Sequence, residues 1–207
     1  MESLDDDAER AITIAAFRWL LCAVRPLSVT SFCAAVASTI YGDVSTTSRE
    51  TEVSYVDNKR SEELLSVEHI LHNTFNLVVQ DTETHMFRFA HLSVREHLET
   101  LADYSDDTEN HAVAALVCVN KLHGLAYAAR HSSREHSDTW TADQWKTYSI
   151  SLWADCRDTF LGYAITQWAL HCQACPSQRQ HQGRPLARAF RALFGLDGLN
   201  TDPPGTQ

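Results

Sequence analysis

Residues 77–96 of the chain read LVVQDTETHMFRFAHLSVRE. Two short runs rich in β-branched, aromatic and long apolar residues, 77–80 and 86–89, flank a polar stretch at 81–85. That stretch has the length of a hairpin loop, and the flanking runs have the composition of strands. The pattern therefore predicts a β-hairpin.

A new helix is predicted directly after this hairpin. Ser93 and Glu96 have the spacing of a capping box, in which each side chain accepts from the backbone amide of the other. We therefore expect a helix that begins at Val94 and buries Val94, Leu98 and Leu101.

Two helices are predicted at the start of the chain. Apolar residues recur at helical spacing over 8–24, and Pro26 excludes helical geometry from the residue before it. Ser28 or Thr30 can cap a second helix that runs to about Ile40. The short connection between the two helices is typical of a helix-turn-helix.

A third helix is predicted over 64–77, where helical spacing returns after a polar stretch at 41–63 that we interpret as a disordered insertion. Three helices followed by a hairpin are the element order of a winged helix. The sequence thus predicts a mainly α fold, with a winged-helix domain over 1–103 that comprises three helices and a β-hairpin wing.

The rest of the chain predicts a helical extension over 104–200, followed by a frayed tail at 201–207 that contains two prolines and a glycine. A polar stretch at 130–147 is expected to be at most partly structured. Helices are predicted at 112–125 and from Pro185 to Phe194, and 151–175 is predicted to form one helix or a broken pair of helices.

Composition narrows the class of protein. The 207 residues carry a formal net charge of -10, which opposes binding to nucleic acid, since Lys and Arg supply most of that affinity. The apolar stretch at 11–24 is too short to cross a bilayer and contains Arg18. We therefore expect a cytoplasmic protein that does not bind membranes, with its six cysteines as free thiols.

The sequence predicts neither a catalytic nor a metal site. His171, Cys172 and Cys175 suggest zinc, which needs four ligands. The nearest further candidates, Cys156 and His181, lie on polar or uncertain segments, so helix packing is the favoured interpretation. Cys118 and His123 are five residues apart, a spacing that points them to different faces of a helix. We therefore expect no enzymatic activity, and we expect no metal and no cofactor held by this chain alone.

Three stretches, taken in order, resemble a known family. FRWLLCAVRPLS at 17–28, NLVV at 76–79 and FRFAHLSVRE at 87–96 are similar to the winged-helix segment that follows the NACHT NTPase domain in fungal NOD-like receptor (STAND) proteins. That segment often precedes ankyrin repeats and is also catalogued as a GPI inositol-deacylase-type winged helix. The resemblance covers about residues 8–101; His97 departs from the aromatic residue more often found at its position.

The resemblance implies that this chain is the regulatory arm of a larger switch protein. Its partners would be the adjoining NTPase domain and the downstream repeats, and it would mediate autoinhibition and intramolecular signal relay. His91 matches the histidine of an F-x-F-x-H setting that contacts the β-phosphate of ADP in the resting state. The nucleotide, ADP or ATP, would be held by the NTPase domain, since the sequence here has no G-x-x-x-x-G-K-[ST] loop.

Two other classes of function remain open at this point. The chain could be a protein-interaction scaffold that does not switch, and a Walker lysine encoded upstream would argue against that reading. It could also be a winged-helix DNA-binding module, but the third predicted helix, 64–77, contains no Lys or Arg. Within this chain alone, the simplest interpretation of His91 is that its side chain makes a local hydrogen bond at a strand-helix junction.

Overall fold

The protein is described from a computed structural model, which covers residues 2–42, 65–136, 154, 156–181 and 183–195. Over these residues it is mainly helical, with a two-stranded antiparallel sheet. The elements are α1 (Glu2–Cys22), α2 (Val29–Tyr41), α3 (Val67–Asn73), β1 (Val78–Asp81), β2 (Met86–Phe89), α4 (Leu92–Leu98), α5 (Ala102–Ser105), α6 (Asp107–His136), α7 (Phe160–Ala174), α8 (Pro176–Gln180) and α9 (Pro185–Leu193).

The predicted break between the first two helices is confirmed. α1 ends at Cys22, four residues before Pro26, and Ser28 caps α2 by accepting a hydrogen bond from the Ser31 amide. Gly42 follows α2 with a φ of 65°, which favours glycine. The predicted insertion at 41–63 lies outside the described residues, apart from Tyr41 and Gly42.

The third helix is shorter than predicted. α3 spans Val67–Asn73, and Ser66 caps it in a box with His69. A tight turn ends it, because Phe75 and Asn76 adopt positive φ values of 51° and 60°. Such a turn is incompatible with helix, so the predicted continuation to residue 77 is wrong.

The predicted hairpin is confirmed, and it packs on α2. β1 and β2 pair antiparallel from Val78 opposite Phe89 to Asp81 opposite Met86. The Phe87 ring lies 5.0 Å from that of Phe32 in α2. The Val29 amide also donates to the His85 carbonyl, at 3.0 Å, so the hairpin is fixed to the start of α2 by both packing and hydrogen bonds.

The capping box predicted at Ser93 is wrong. α4 begins at Leu92, and the residue that caps it is His91, whose side chain accepts from the Ser93 amide. Of the three residues expected to be buried, Leu98 is buried, Val94 is partly buried and Leu101 is exposed. Histidine is not among the usual capping residues, which is why the pattern favoured the serine.

The helices after residue 103 pack on those before it. α6 is much longer than the predicted helix at 112–125. It begins at Asp107 and ends at His136, within the stretch 130–147 that is predicted to be at most partly structured. α7 packs along it, and one hydrophobic core joins the two halves of the described chain. The most enclosed large side chains of that core include Trp19, Phe32, Val36, Ile70, Val78, Phe160 and Tyr163.

A smaller core fixes the last helices. α9 begins at Pro185, as predicted, and packs on α6 through the buried Leu186. Cys172 and Cys175 lie in the same cluster. The predicted tail at 201–207 lies outside the described residues. Among the described helices, none has the combination of length and apolar character needed to cross a bilayer.

Candidate functional site

His91 lies at the junction between the hairpin and α4, and its side chain is exposed. Its Nδ1 atom is 3.1 Å from the Ser93 backbone nitrogen, which donates to it, and 2.8 Å from Ser93 Oγ. The local hydrogen bond expected for this residue is therefore present.

This local bond fixes the proton on the opposite side of the His91 ring. Since Nδ1 accepts from a backbone amide, it cannot carry a hydrogen in the neutral imidazole, and the hydrogen must be on Nε2. No hydrogen bond to Nε2 is found among the described residues. The ring therefore presents an N–H donor away from the bond that orients it.

Exposed apolar residues lie in the turn after α3 and at the start of α4, next to His91. Phe75 and Leu92 are 78% and 64% exposed, and Leu77 is 40% exposed. The Ala90 amide donates to the Leu77 carbonyl at 2.9 Å, which brings the turn after α3 beside the start of α4. An exposed aromatic residue with positive φ has both a solvation cost and a backbone cost, a combination that is frequent at functional positions.

The sequence motif of His171, Cys172 and Cys175 forms part of the protein interior. All three side chains are buried, and burial raises the pKa of the Cys172 thiol to about 12. The Cys175 thiol contacts the carbonyl oxygen of His171. Within the described residues, no group of three or more His, Cys, Asp or Glu side chains could hold a metal ion.

His171 instead belongs to a line of polar side chains that we name the histidine relay, made of Asp107, His111, His171 and Tyr163. Its two imidazoles meet with their Nδ1 atoms 2.8 Å apart, and His171 Nε2 lies 2.8 Å from the Tyr163 hydroxyl. Asp107 Oδ1 is 3.6 Å from His111 Nε2. The hydroxyl also accepts from the Val24 amide at 3.1 Å.

One member of the relay, His171, has a strongly shifted pKa. Burial, and secondarily the neighbouring His111, lowers the pKa of His171 to about 4. Burial is also the main cause that raises the pKa of Tyr163. Sequence reasoning missed the relay because His111 and His171 are 60 residues apart; the available signal was a histidine within the apolar spacing of α7.

Cys118 and His123 do not form a nucleophile pair. Cys118 is fully buried in the core, and burial raises the pKa of its thiol well above the usual value. A thiolate is therefore disfavoured at this position. No hydrogen bond joins the two side chains, both of which the structure describes.

Comparison of the chain with protein families, curated proteins and solved structures finds no match.

Proposed function

We propose that this chain is the non-catalytic regulatory arm of a NACHT-type (STAND) NTPase, a winged helix followed by a helical extension. In this proposal His91 donates a hydrogen bond to the β-phosphate of ADP bound by the adjoining NTPase domain. That contact holds the two modules together in the resting state. Exchange of ADP for ATP removes the contact and releases the arm.

The observation that carries the proposal is the orientation of the His91 ring. A neutral imidazole can donate to a phosphate oxygen only through the nitrogen that bears hydrogen. The Ser93 amide occupies Nδ1 and leaves Nε2 as the donor, on an exposed ring. The chemistry required for a phosphate contact is therefore available without rearrangement of the side chain.

Two further features support the proposal. The order of α1, α2, α3, β1 and β2 agrees with a winged helix, and the resemblance in sequence spans the same region. The hairpin is held on α2 by the ring contact between Phe32 and Phe87, so the residues that follow β2 start from a fixed position. His91 is one donor, and the NTPase domain would supply the loop that holds the rest of the nucleotide.

The test measures ADP release from the parent protein that contains both modules. Release of a fluorescent ADP analogue is followed after addition of excess unlabelled nucleotide. We expect His91→Ala to accelerate release by about tenfold, as expected for loss of one hydrogen bond to a charged group. The wild-type arm should also co-purify with the NTPase domain in ADP and much less in ATP.

Two variants separate a phosphate contact from helix capping. Asn is a good capping residue with a shorter side chain. His91→Asn therefore keeps the helix cap, but its side chain is too short to reach the β-phosphate. His97→Ala changes an exposed histidine within α4 and should release ADP at the wild-type rate. Wild-type release from His91→Asn would mean that His91 acts only through the cap, and the proposal would then be wrong.

An interaction scaffold without switching is the second candidate, favoured by the exposure of Phe75 and Leu92. A scaffold would bind its partner through these residues independently of the nucleotide. Equal co-purification of the arm in ADP and in ATP, together with loss of binding in Phe75→Ala, would support the scaffold and contradict the switch.

A further inference from the structure

The histidine relay has one arrangement of protons that gives each polar atom a partner. The Val24 amide can only donate, so the Tyr163 oxygen accepts from it. The Tyr163 hydroxyl then donates its hydrogen to His171 Nε2. His171 must therefore carry its own hydrogen on Nδ1.

The same logic extends the arrangement to the surface. His171 Nδ1–H donates to His111 Nδ1, since two bare nitrogens or two N–H groups cannot bond at 2.8 Å. His111 then carries its hydrogen on Nε2, which faces the Asp107 carboxylate at 3.6 Å. Each group thus donates to the next one along the relay. The donations start at the Val24 amide in the α1–α2 connection and lead to Asp107 at the exposed start of α6.

A proton added to the relay would reverse this direction. His171 is completely enclosed, whereas the His111 side chain is 15% exposed and adjoins an aspartate that is 77% exposed. The added charge is therefore placed on His111, the imidazole that reaches solvent, and not on the enclosed His171. Protonated His111 donates through both nitrogens, so His171 must accept at Nδ1. His171 releases its Nδ1 hydrogen to solvent and takes one up from solvent on Nε2, so the relay gains one proton in total, the one on His111 Nδ1.

The reversal leaves the Tyr163 hydroxyl without an acceptor. Its oxygen would face two donors, the Val24 amide and His171 Nε2–H, while its own hydrogen would have lost the nitrogen to which it donated. An unsatisfied buried O–H is costly, and the cost falls on the contact between α7 and the end of α1.

We propose that the histidine relay is a proton-operated switch: uptake of one proton at His111 reverses the tautomer of His171 and weakens the hold of Tyr163 on the α1–α2 connection. The relay is distant in sequence from His91, and the proposal does not depend on the function proposed for that residue. It provides a way for acidification to loosen the helical extension from the preceding helices.

Other charged and titratable groups face the relay from the elements packed against it. From the α1–α2 side, Cys22 and the Arg25 guanidinium face Tyr163; the guanidinium lies 5.3 Å from the ring centroid. From α6, Cys118 also faces Tyr163. Burial raises the pKa of the Cys22 thiol to about 12 and that of Cys118 well above its usual value, so both remain neutral in mild acid.

On the side of α7 and α8, Cys175 contacts the His171 backbone, and its thiol pKa is raised, mainly by burial. Arg179 and Glu109 lie near Cys175, and the Glu109 carboxylate accepts from Gln178. These groups contact neither imidazole through the hydrogen bonds found in the described part of the chain.

The test records the tautomers of both histidines in the intact chain by nitrogen NMR with labelled histidine, from pH 8 to pH 5. We expect His171 to carry hydrogen on Nδ1 and His111 to carry it on Nε2 at pH 8. As His111 gains its second hydrogen, His171 should move its own to Nε2 with the same midpoint. Hydrogen exchange at the Val24 amide, corrected for intrinsic rates, should accelerate by roughly tenfold over this transition.

Variants link the tautomer change to the tyrosine. Tyr163→Phe removes the hydroxyl that is left unsatisfied, so acid should no longer accelerate exchange at Val24. His97→Gln removes an exposed histidine of α4 and should leave the response unchanged. Hydrogen on Nε2 of His171 at pH 8, or a fixed His171 tautomer while His111 titrates, would overturn the proposal. Both observations need only the wild-type protein, so they decide the matter even if Tyr163→Phe does not fold.

Discussion

The indole nitrogen of Trp19 donates to Thr39 Oγ1 across 2.8 Å and so ties α1 to α2. The same ring meets Phe160, Tyr163 and His171 of α7 edge-on, with centroids 5.6, 5.9 and 6.0 Å away. One side chain thus contacts helices from both halves of the described chain. It joins the first two helices to the helical extension.

Replacing Trp19 by Phe should lower the free energy of unfolding by about 2 kcal/mol, because the smaller ring leaves a cavity and loses one hydrogen bond. Thr39 keeps its own donation to the Ala35 carbonyl, so the hydroxyl is not orphaned. Urea unfolding measures the change. Phe75→Ala, at a position that is 78% exposed, should alter stability by less than about 0.5 kcal/mol. Equal effects of the two variants would contradict the central position of Trp19.

Stability should fall in acid because of His171. An unfolded histidine titrates near pH 6.5, whereas burial lowers the pKa of folded His171 to about 4. Between these values the unfolded chain binds more protons, so stability is fully present above pH 6.5 and is lost as the pH falls towards 4. The loss attributable to this residue is up to about 3 kcal/mol.

The measurement compares urea unfolding at pH 7.5 and pH 4.5 in the wild type and in His171→Gln. The absolute stability of the variant is not informative, since it loses hydrogen bonds, but the dependence on pH should be shallower than in the wild type. His97→Gln, which changes an exposed histidine, should retain the wild-type dependence. Parallel pH profiles for wild type and His171→Gln would show that this imidazole is not the cause.

Gly162 is required by close packing at the start of α7. A Cβ atom at this position would overlap the Cys156 carbonyl oxygen and would lie 2.7 Å from that of Arg157. Both are backbone atoms, so the turn before α7 would have to move. We expect Gly162→Ala to destabilise the protein by roughly 1–3 kcal/mol in thermal or urea unfolding.

Gly183 provides the matched control for Gly162, since a Cβ atom there would have no atom of the described residues within 4 Å. Gly183→Ala should change the free energy of unfolding by less than about 0.5 kcal/mol. Equal stability of the two alanine variants would contradict the close approach of the 156–157 backbone to Gly162.

Ser28 should contribute to stability as the cap of α2. Its hydroxyl accepts from the Ser31 amide and contacts Ser31 Oγ at 2.9 Å, while the backbone of Ser28 bridges to Met86 of the hairpin. Ser28→Ala should cost about 1 kcal/mol in urea unfolding. Ser105→Ala, at an exposed position at the end of α5, should be nearly neutral. A neutral Ser28→Ala would mean that water replaces the cap without loss.

Local sequence determined those elements whose signals lie within a few residues. The α2 cap at Ser28, the strand Met86–Phe89 and the start of α9 at Pro185 followed from capping chemistry, β-prone composition and the fixed φ of proline. These signals act over one turn or one hairpin, so no knowledge of the surrounding structure was needed.

Tertiary structure decided the features that join distant segments. Packing of α7 along α6 brings His171 to His111 and makes a part-buried hydrogen-bonded pair, of which only His171 belonged to the predicted cysteine and histidine motif. Tertiary structure also decided the extent of α6. Its polar ends gave no periodic signal in the sequence, and its apolar centre packs on α1, α2 and α7. Helical spacing shows which face of a helix is apolar, but which partner covers that face depends on long-range packing, which local pattern does not encode.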